Sequence, residues 1–173
     1  MEDLNERACA AAGQSELMSM YSNMFSEYNV ACSQILVTDA DFRSAKRRKN
    51  LRVTLEHLLS LGVVPIINEN DVISTRKTPT RDENNFIFWD NDSLACLVGA
   101  EIGAELLLLL SDVDGLYERP PGPNEEPKVI PTYTSHLQFT IGNKSRVGRG
   151  GMQAKMQAAL SSLERGVKVG ELR

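Results

Sequence analysis

Hydrophobic residues along the chain recur with two different spacings. In residues 14–28 they return every three or four positions, which predicts an amphipathic helix whose apolar stripe packs into the core. Residues 43–60 repeat this spacing and predict a second helix that ends at Gly62. Between the two helices, residues 30–37 alternate and then run apolar, as a strand does. The first third of the chain therefore predicts a helix, a strand and a helix.

Short apolar runs alternate with helical segments through the rest of the chain. Residues 63–67 predict a short buried strand, and the five leucines of residues 106–110 predict a strand buried on both faces. The other predicted elements are an edge strand at residues 129–133, a strand that begins within 167–169, and helices at 93–102 and 152–164. Helices that alternate with strands rich in Val, Ile and Leu indicate an α/β fold on a mainly parallel sheet.

The composition is that of a globular protein and argues against several classes of function. Of the 173 residues, 42% are hydrophobic and 24% charged, which argues against a disordered or fibrous protein. The net charge of −4 argues against a surface devoted to nucleic acid, and no apolar stretch reaches the ~18 residues that a membrane span needs. Because the N-terminus is acidic and lacks an apolar signal segment, we expect a cytoplasmic protein that binds neither nucleic acid nor membrane. Three isolated cysteines fit small buried side chains in a reducing compartment.

Polar side chains crowd the end of the strand predicted at residues 63–67. Ligands of parallel α/β sheets bind at the carboxyl ends of the strands, so the segment Asn68-Glu69-Asn70-Asp71 is a candidate site. Asparagine and aspartate also favour turns and helix caps, which leaves a purely structural role open. In the functional interpretation, the amides and Asp71 bind a zwitterion, because a carboxylate pairs with an ammonium and an amide donates to a carboxyl group.

A second polar cluster, Trp89-Asp90-Asn91-Asp92-Ser93, lies where the next helix begins. Helix capping accounts for one of its aspartates but not for the whole cluster, which also fits a metal or reaction centre. Neither the glycine nor the closing glutamate of an EF-hand is at the required spacing. Beyond Leu110, the segment Ser111-Asp112 follows a predicted central strand, where Asp112 is placed to reach a ribose or a metal-bound phosphate.

The segment 144–155 (KSRVGRGGMQAK) carries three glycines within four residues and opens a helix. Backbone N–H groups at a helix N-terminus bind anions, and glycine lets the backbone approach a phosphate closely. Lys155 lies about one turn into the helix and can reach the same anion, while Lys144, Arg146 and Arg149 add positive potential. The spacing fits neither the Walker A loop nor the dinucleotide fingerprint. Together the segments favour phosphoryl transfer from a nucleotide to a small polar acceptor.

Five segments, in this order, resemble glutamate 5-kinase, an enzyme of the amino acid kinase fold. They are residues 13–15 (GQS), 66–71 (IINEND), 89–95 (WDNDSLA), 110–117 (LSDVDGLY) and 150–155 (GGMQAK). Residues 73–89 and 144–151 are most similar to the kinase half of bifunctional pyrroline-5-carboxylate synthase. The resemblance runs from about Ala8 to Val169 and implies a three-layer sandwich on a mainly parallel sheet.

The resemblance also implies an activity and roles for individual residues. The reaction would convert ATP and L-glutamate into ADP and L-glutamyl 5-phosphate, the first step of proline synthesis. Asp71 and Asn91 would bind glutamate, Asp92 would organise the reaction centre, and Lys155 would stabilise charge on the transferring phosphoryl group. Magnesium would arrive with ATP, without a dedicated protein ligand. The ATP site would comprise Ser111, Asp112, Arg149, Gly150, Gly151, Met152, Gln153, Ala154 and Lys155.

The family pattern extends beyond both ends of this sequence. In that pattern a strand, a Lys-x-Gly-Ser loop and a Gly-Ser-Gly-Ala segment come first, and a further strand follows the position of Val169. We therefore expect residues 1–173 to be a partial amino acid kinase domain, truncated at its N-terminus and incomplete at its C-terminus. Expected partners are a second copy in a homo-oligomer, a fused or separate glutamyl phosphate reductase, and proline as a feedback inhibitor near residues 38–43.

Two alternatives to glutamate 5-kinase activity remain open on the sequence. One is an amino acid kinase for another acceptor, such as aspartate, N-acetylglutamate or a nucleoside monophosphate. The other is an inactive fragment, or a non-catalytic partner that pairs with intact kinase subunits. The segments around Asp71 and Asn91 favour glutamate as the acceptor.

Overall fold

The computed structural model describes residues 2–74, 90–118, 128–133 and 152–172. The chain divides into two compact units, Met1–Ile87 and Phe88–Arg173, and each is described by itself. Both units contain helices and a pair of parallel strands, so the predicted α/β class with parallel strand pairing is confirmed. In the described ranges, no helix has the length and apolar character needed to cross a membrane.

Unit 1 is a helix followed by a strand–helix–strand crossover. Its elements are α1 (Glu2–Ser26), β1 (Ala31–Val37), α2 (Asp39–Arg43), α3 (Ala45–Ser60) and β2 (Val63–Glu69). Strands β1 and β2 pair in parallel, from Ala31 opposite Val63 to Val37 opposite Glu69. Helix α1 packs against β1 and α3 packs against β2. The polar residues that follow β2 thus lie at the carboxyl end of this small sheet.

The helix predicted for residues 43–60 is present as α3, which begins at Ala45, two residues after the predicted start. Ser44 has extended backbone angles, and its hydroxyl accepts a hydrogen bond from the Arg47 N–H, so it caps α3. The preceding short helix α2 begins with a cap in which the Thr38 N–H and hydroxyl both donate to the Asp41 carboxylate, at 2.7 and 2.8 Å. The Ser44 cap, which hydrophobic spacing does not reveal, therefore sets the start of α3, and α2 is a separate short helix that was not predicted.

Helix α1 begins earlier than predicted and buries only part of its apolar stripe. Met18, Tyr21 and Phe25 are partly covered, whereas Met24 and Tyr28 are 56% and 77% exposed. The helix ends at Ser26, and Asn29 follows with a left-handed φ of 55°, a conformation that asparagine tolerates better than most residues. The stripe is therefore wider than the face of α1 that packs, and its outer positions are exposed.

Unit 2 places two neighbouring helices on a second parallel strand pair. Its elements are α4 (Asn91–Ile102), β3 (Leu106–Leu110), α5 (Met152–Glu164) and β4 (Lys168–Leu172). Leu106 lies opposite Lys168, and Leu110 lies opposite Leu172. The two helices contact each other, while α4 also contacts β3 and α5 contacts β4. Helix α4 begins two residues before the predicted start, and α5 has the predicted bounds.

The prediction that β3 is buried on both faces is wrong. Leu109 is buried and Leu107 partly covered, but Leu106, Leu108 and Leu110 are 52%, 47% and 72% exposed. Because side chains alternate between the two faces of a strand, this pattern means that one face is covered by the helices of unit 2 and the other is exposed.

The edge strand predicted for residues 129–133 is reduced to a single antiparallel bridge between Tyr117 and Val129. The Ile130 N–H donates to the Leu116 carbonyl at 2.7 Å, and the Glu118 N–H donates to the Lys128 carbonyl at 3.2 Å. This pairing brings the two segments together beside the carboxyl end of β3.

Candidate active site

Lys155 and Asp92, the predicted catalytic residues, meet in unit 2. The Lys155 ammonium donates to Asp92 Oδ1 at 2.8 Å and to the carbonyl of Leu110 at 3.1 Å. The lysine and aspartate side chains are 19% and 18% exposed, so the ion pair is largely shielded from water. The structure therefore fixes a positive charge at the carboxyl end of β3.

This meeting follows from the way α4 and α5 pack. Asp92 and Lys155 lie in the first turns of their helices, and Cys96 contacts Ser162 further along, so the helices run in the same direction. Cys96, Ala158 and Ser162 are fully buried, and small side chains at these positions let the helices approach closely. Burial raises the pKa of the Cys96 thiol, as expected for a packing residue.

A reciprocal cap fixes the first turn of α4. The Asp90 carboxylate accepts from the Ser93 N–H and hydroxyl, both at 2.8 Å, and the Asp90 N–H donates to the Ser93 hydroxyl oxygen at 3.1 Å. Capping thus accounts for one aspartate of the cluster, as the sequence predicts, and the ion pair accounts for Asp92. Asn91 is exposed and has no hydrogen-bond partner among the described residues, which leaves its amide available to a ligand.

The predicted ATP-binding residues within the described ranges lie on both sides of this ion pair. Ser111 follows β3, where its N–H donates to the Leu172 carbonyl at 2.9 Å, and Asp112 is exposed beside it. Met152, Gln153 and Ala154 form the first turn of α5 ahead of Lys155. Three further predicted residues, Arg149, Gly150 and Gly151, lie outside the described residues.

A cavity of about 490 Å³ opens beside Lys155 within unit 2. Its walls come from α5, from β3 and β4, and from the bridged segments around Gly115 and Val129. Gly115 has a φ of 138°, and a Cβ atom there would lie 3.2 Å from Val129 Cγ1, so glycine fits both the backbone and the space. The cavity is large enough for a small-molecule ligand.

Asp71, the predicted ligand of a substrate ammonium, lies in unit 1 in the turn after β2. The carbonyl of Asn70 closes this turn by accepting from the Ile73 and Ser74 N–H groups, and the Ser74 hydroxyl donates to the Glu69 carboxylate. Asp71 is partly buried, and its carboxylate has no partner among the described residues. The turn is thus held without the Asp71 side chain, which is evidence against the capping interpretation.

Two features of unit 2 have no counterpart among the predicted site residues. One is the Leu110 carbonyl that holds Lys155, because a backbone acceptor has no signature in the sequence. The other is Glu171, which lines the cavity and whose position in a short strand resembles that of an ordinary surface residue. Among the described residues, no three His, Cys, Asp or Glu side chains gather in a way that could hold a metal ion.

Comparison of the sequence with known proteins identifies relatives of this chain. The chain is 54% identical over 170 residues to Delta-1-pyrroline-5-carboxylate synthase 1 of Oryza sativa subsp. japonica, an alignment that covers 96% of this chain and 24% of that protein. It is 48% identical over 171 residues to Delta-1-pyrroline-5-carboxylate synthase A of Arabidopsis thaliana, in an alignment that covers 96% of this chain and 23% of that protein. Glutamate 5-kinase 1 of Bacillus subtilis (strain 168) is 40% identical over 168 residues, covering 95% and 44%.

The chain therefore spans about a quarter of the length of the plant relatives and less than half of the bacterial kinase. The sequence model of the amino acid kinase family matches residues 1–170, nearly the whole chain. On the strength of that match, this chain belongs to the amino acid kinase family.

Proposed function

We propose that this chain acts as a glutamate 5-kinase in the first step of proline biosynthesis. It would transfer the γ-phosphoryl group of ATP to the side-chain carboxylate of L-glutamate and yield ADP and L-glutamyl 5-phosphate. The observation that carries the proposal is the shielded Lys155–Asp92 pair beside the cavity of unit 2. The names of the relatives, glutamate 5-kinase and pyrroline-5-carboxylate synthase, support the same reaction.

Lys155 is suited to bind the transferring phosphoryl group. An ammonium has three N–H donors, and Asp92 and the Leu110 carbonyl take two of them. The third donor is available to a phosphate oxygen, and the two existing contacts hold the nitrogen in place before the ligand binds. A fixed positive charge stabilises the negative charge that spreads over the phosphoryl oxygens in the transition state.

The acceptor in this reaction needs little chemical help. A glutamate side chain has an ordinary pKa near 4.3, so at neutral pH its carboxylate is already ionised and needs no general base. A carboxylate oxygen forms a bond to the γ-phosphorus as the bond to the β–γ bridging oxygen breaks, and that electron pair leaves with ADP. Positioning and charge stabilisation are then the main contributions of the protein.

The nucleotide is assigned to unit 2. Ser111, Asp112 and residues 149–155 would surround its phosphates, with Lys155 nearest the γ-phosphoryl group. Magnesium would enter bound to ATP and would neutralise part of the charge on its phosphates.

The two predicted glutamate ligands have complementary chemistry. Asp71 would accept hydrogen bonds from the α-ammonium of glutamate, and Asn91 would donate to one of its carboxyl groups. The proposal is supported by what these side chains lack: neither Asp71 nor Asn91 has a hydrogen-bond partner for its side chain among the described residues. A polar side chain that takes no part in its local turn or cap is available to a ligand.

Three partners belong to the same proposal. L-Glutamyl 5-phosphate would be consumed by a glutamyl phosphate reductase, fused or separate, and the kinase would form a homo-oligomer. Proline would act as a feedback inhibitor near α2, whose start is organised by the cap between Thr38 and Asp41.

Transfer of labelled phosphate from [γ-³²P]ATP tests the proposed reaction. L-Glutamate, L-aspartate, N-acetylglutamate and UMP are offered separately, with hydroxylamine present to trap acyl phosphates. We expect transfer to L-glutamate in preference to the other three, and its loss in Asp92→Asn, which uncouples Lys155 from its partner. Preferred transfer to another acceptor would reassign the substrate, and no transfer to any of them would favour the non-catalytic alternative.

A further inference from the structure

Glu171 is a partly buried acidic residue for which the proposed reaction has no role. It lies in β4 opposite the buried Leu109 and contributes to the wall of the cavity that also contains Lys155. Its Oε1 atom is shut off from solvent and has no hydrogen-bond partner among the residues that the structure describes. Buried carboxylate oxygens are normally paired, so this one calls for a donor that the described residues do not provide.

Lys155, which also lines the cavity, does not pair with Glu171. Its ammonium pairs with Asp92 and with the Leu110 carbonyl, and no ion pair joins it to Glu171 in the described part of unit 2. A ligand in the cavity can supply the missing donor. Because Glu171 is an acceptor, that part of the ligand must carry O–H or N–H groups.

The register of the sheet indicates which part of a nucleotide meets Glu171. Leu110, whose carbonyl holds Lys155, lies opposite Leu172, so Glu171 is one residue back from the place where the phosphates are expected. Like charge excludes the phosphates from the carboxylate itself. The group joined directly to the phosphates is the ribose, whose 2′- and 3′-hydroxyls are donors, and acidic side chains commonly bind ribose hydroxyls in this way.

The remaining walls of the cavity fit the base. Val129, Ile130, Met156 and Leu160 supply apolar side chains that could contact a planar ring. Methionine in particular adapts to the shape of a ligand and makes favourable contacts with aromatic rings. The cavity thus offers an ammonium, a carboxylate and an apolar wall, which match the phosphate, sugar and base of a nucleotide.

We propose that Glu171 binds the ribose hydroxyls, so that unit 2 prefers ribonucleotides to 2′-deoxyribonucleotides. The inference rests on the proposed function, since it assumes that the cavity holds ATP. It adds a specificity-determining residue and the sugar class of the substrate to that proposal.

Calorimetric titration of the 173-residue chain with ATP and with 2′-deoxyATP tests this inference. Losing one hydrogen bond to a charged group is expected to weaken binding by about tenfold, so wild type should favour ATP by about that factor. Glu171→Gln and Glu171→Ala should bring the two affinities to within about twofold of each other. Glu164→Gln, which removes an exposed charge from the end of α5, is the matched control and should keep the preference.

Each other outcome overturns the inference in a distinguishable way. Equal affinity of wild type for ATP and 2′-deoxyATP would remove the ribose contact while leaving the nucleotide site intact. Purine riboside triphosphate lacks the 6-amino group of ATP. If wild type binds this analogue more weakly than ATP but binds 2′-deoxyATP as well as ATP, Glu171 contacts the base and not the ribose. Failure to bind any nucleotide would overturn the assignment of ATP to unit 2, and the role of Glu171 with it.

Discussion

Replacing Lys155 by alanine is expected to lower the turnover of ATP with L-glutamate by roughly 100-fold or more. The ammonium interacts most strongly with the phosphoryl group while charge redistributes in transfer, so the loss should appear in kcat more than in the KM for ATP. Lys155→Arg should also be poorly active, because a planar guanidinium cannot reproduce the contacts of a compact ammonium to Asp92 and the Leu110 carbonyl. Steady-state kinetics measures both constants.

The matched control is Lys168→Ala, which removes an exposed lysine from β4 and should leave turnover nearly unchanged. Circular dichroism should show that Lys155→Ala keeps its secondary structure. The buried contact between α4 and α5 at Cys96 and Ser162 does not involve the lysine. Near-normal turnover in a folded Lys155→Ala protein would reduce the ion pair with Asp92 to a structural contact.

Replacing Asp71 by asparagine is expected to raise the KM for glutamate by about tenfold or more. The change removes the negative charge proposed to pair with the substrate ammonium, and hydrogen bonds to charged groups contribute about 1.5–3 kcal/mol. The KM for ATP should change little, because the nucleotide is assigned to groups of unit 2. Initial rates over a matrix of the two substrate concentrations give both values from one preparation.

Melting temperature separates this outcome from a structural role of Asp71. The turn after β2 is held by the Asn70 carbonyl, so Asp71→Asn should melt close to wild type. Glu27→Gln, which removes an exposed charge from unit 1, serves as the control and should change neither KM nor melting temperature. A lower melting temperature with an ordinary glutamate KM would contradict the binding role.

Hydrophobic spacing predicts the positions of several elements of this fold well. The strand at 30–37 and the helix at 152–164 appear in the structure almost as predicted. Burial of individual faces was harder to predict, because it depends on neighbours far along the chain. The five leucines of β3 look identical in the sequence, yet the structure covers Leu109 and exposes Leu108.

The polar groups of the site were predictable only in part. The spacing of the acidic cluster showed that capping could not account for both Asp90 and Asp92, and the structure assigns the first to the cap and the second to Lys155. The role of the Leu110 carbonyl could not be predicted from the sequence, because every residue has a backbone carbonyl acceptor. Glu171 was missed because the strand register that brings it to the cavity wall is set only when β3 and β4 pair.

Labelling with an acyl phosphate derivative of ATP tests the central claim, that the γ-phosphoryl group is bound beside Lys155. In such a probe a lysine amine near the terminal phosphate attacks the acyl carbonyl, an amide forms and ATP leaves. Mass spectrometry of the digested chain then identifies the acylated lysine. We expect Lys155 to be labelled, and excess ATP to suppress that labelling while leaving any background on the exposed Lys46 and Lys168 unchanged. An unlabelled Lys155, or labelling that excess ATP does not reduce, would contradict the account.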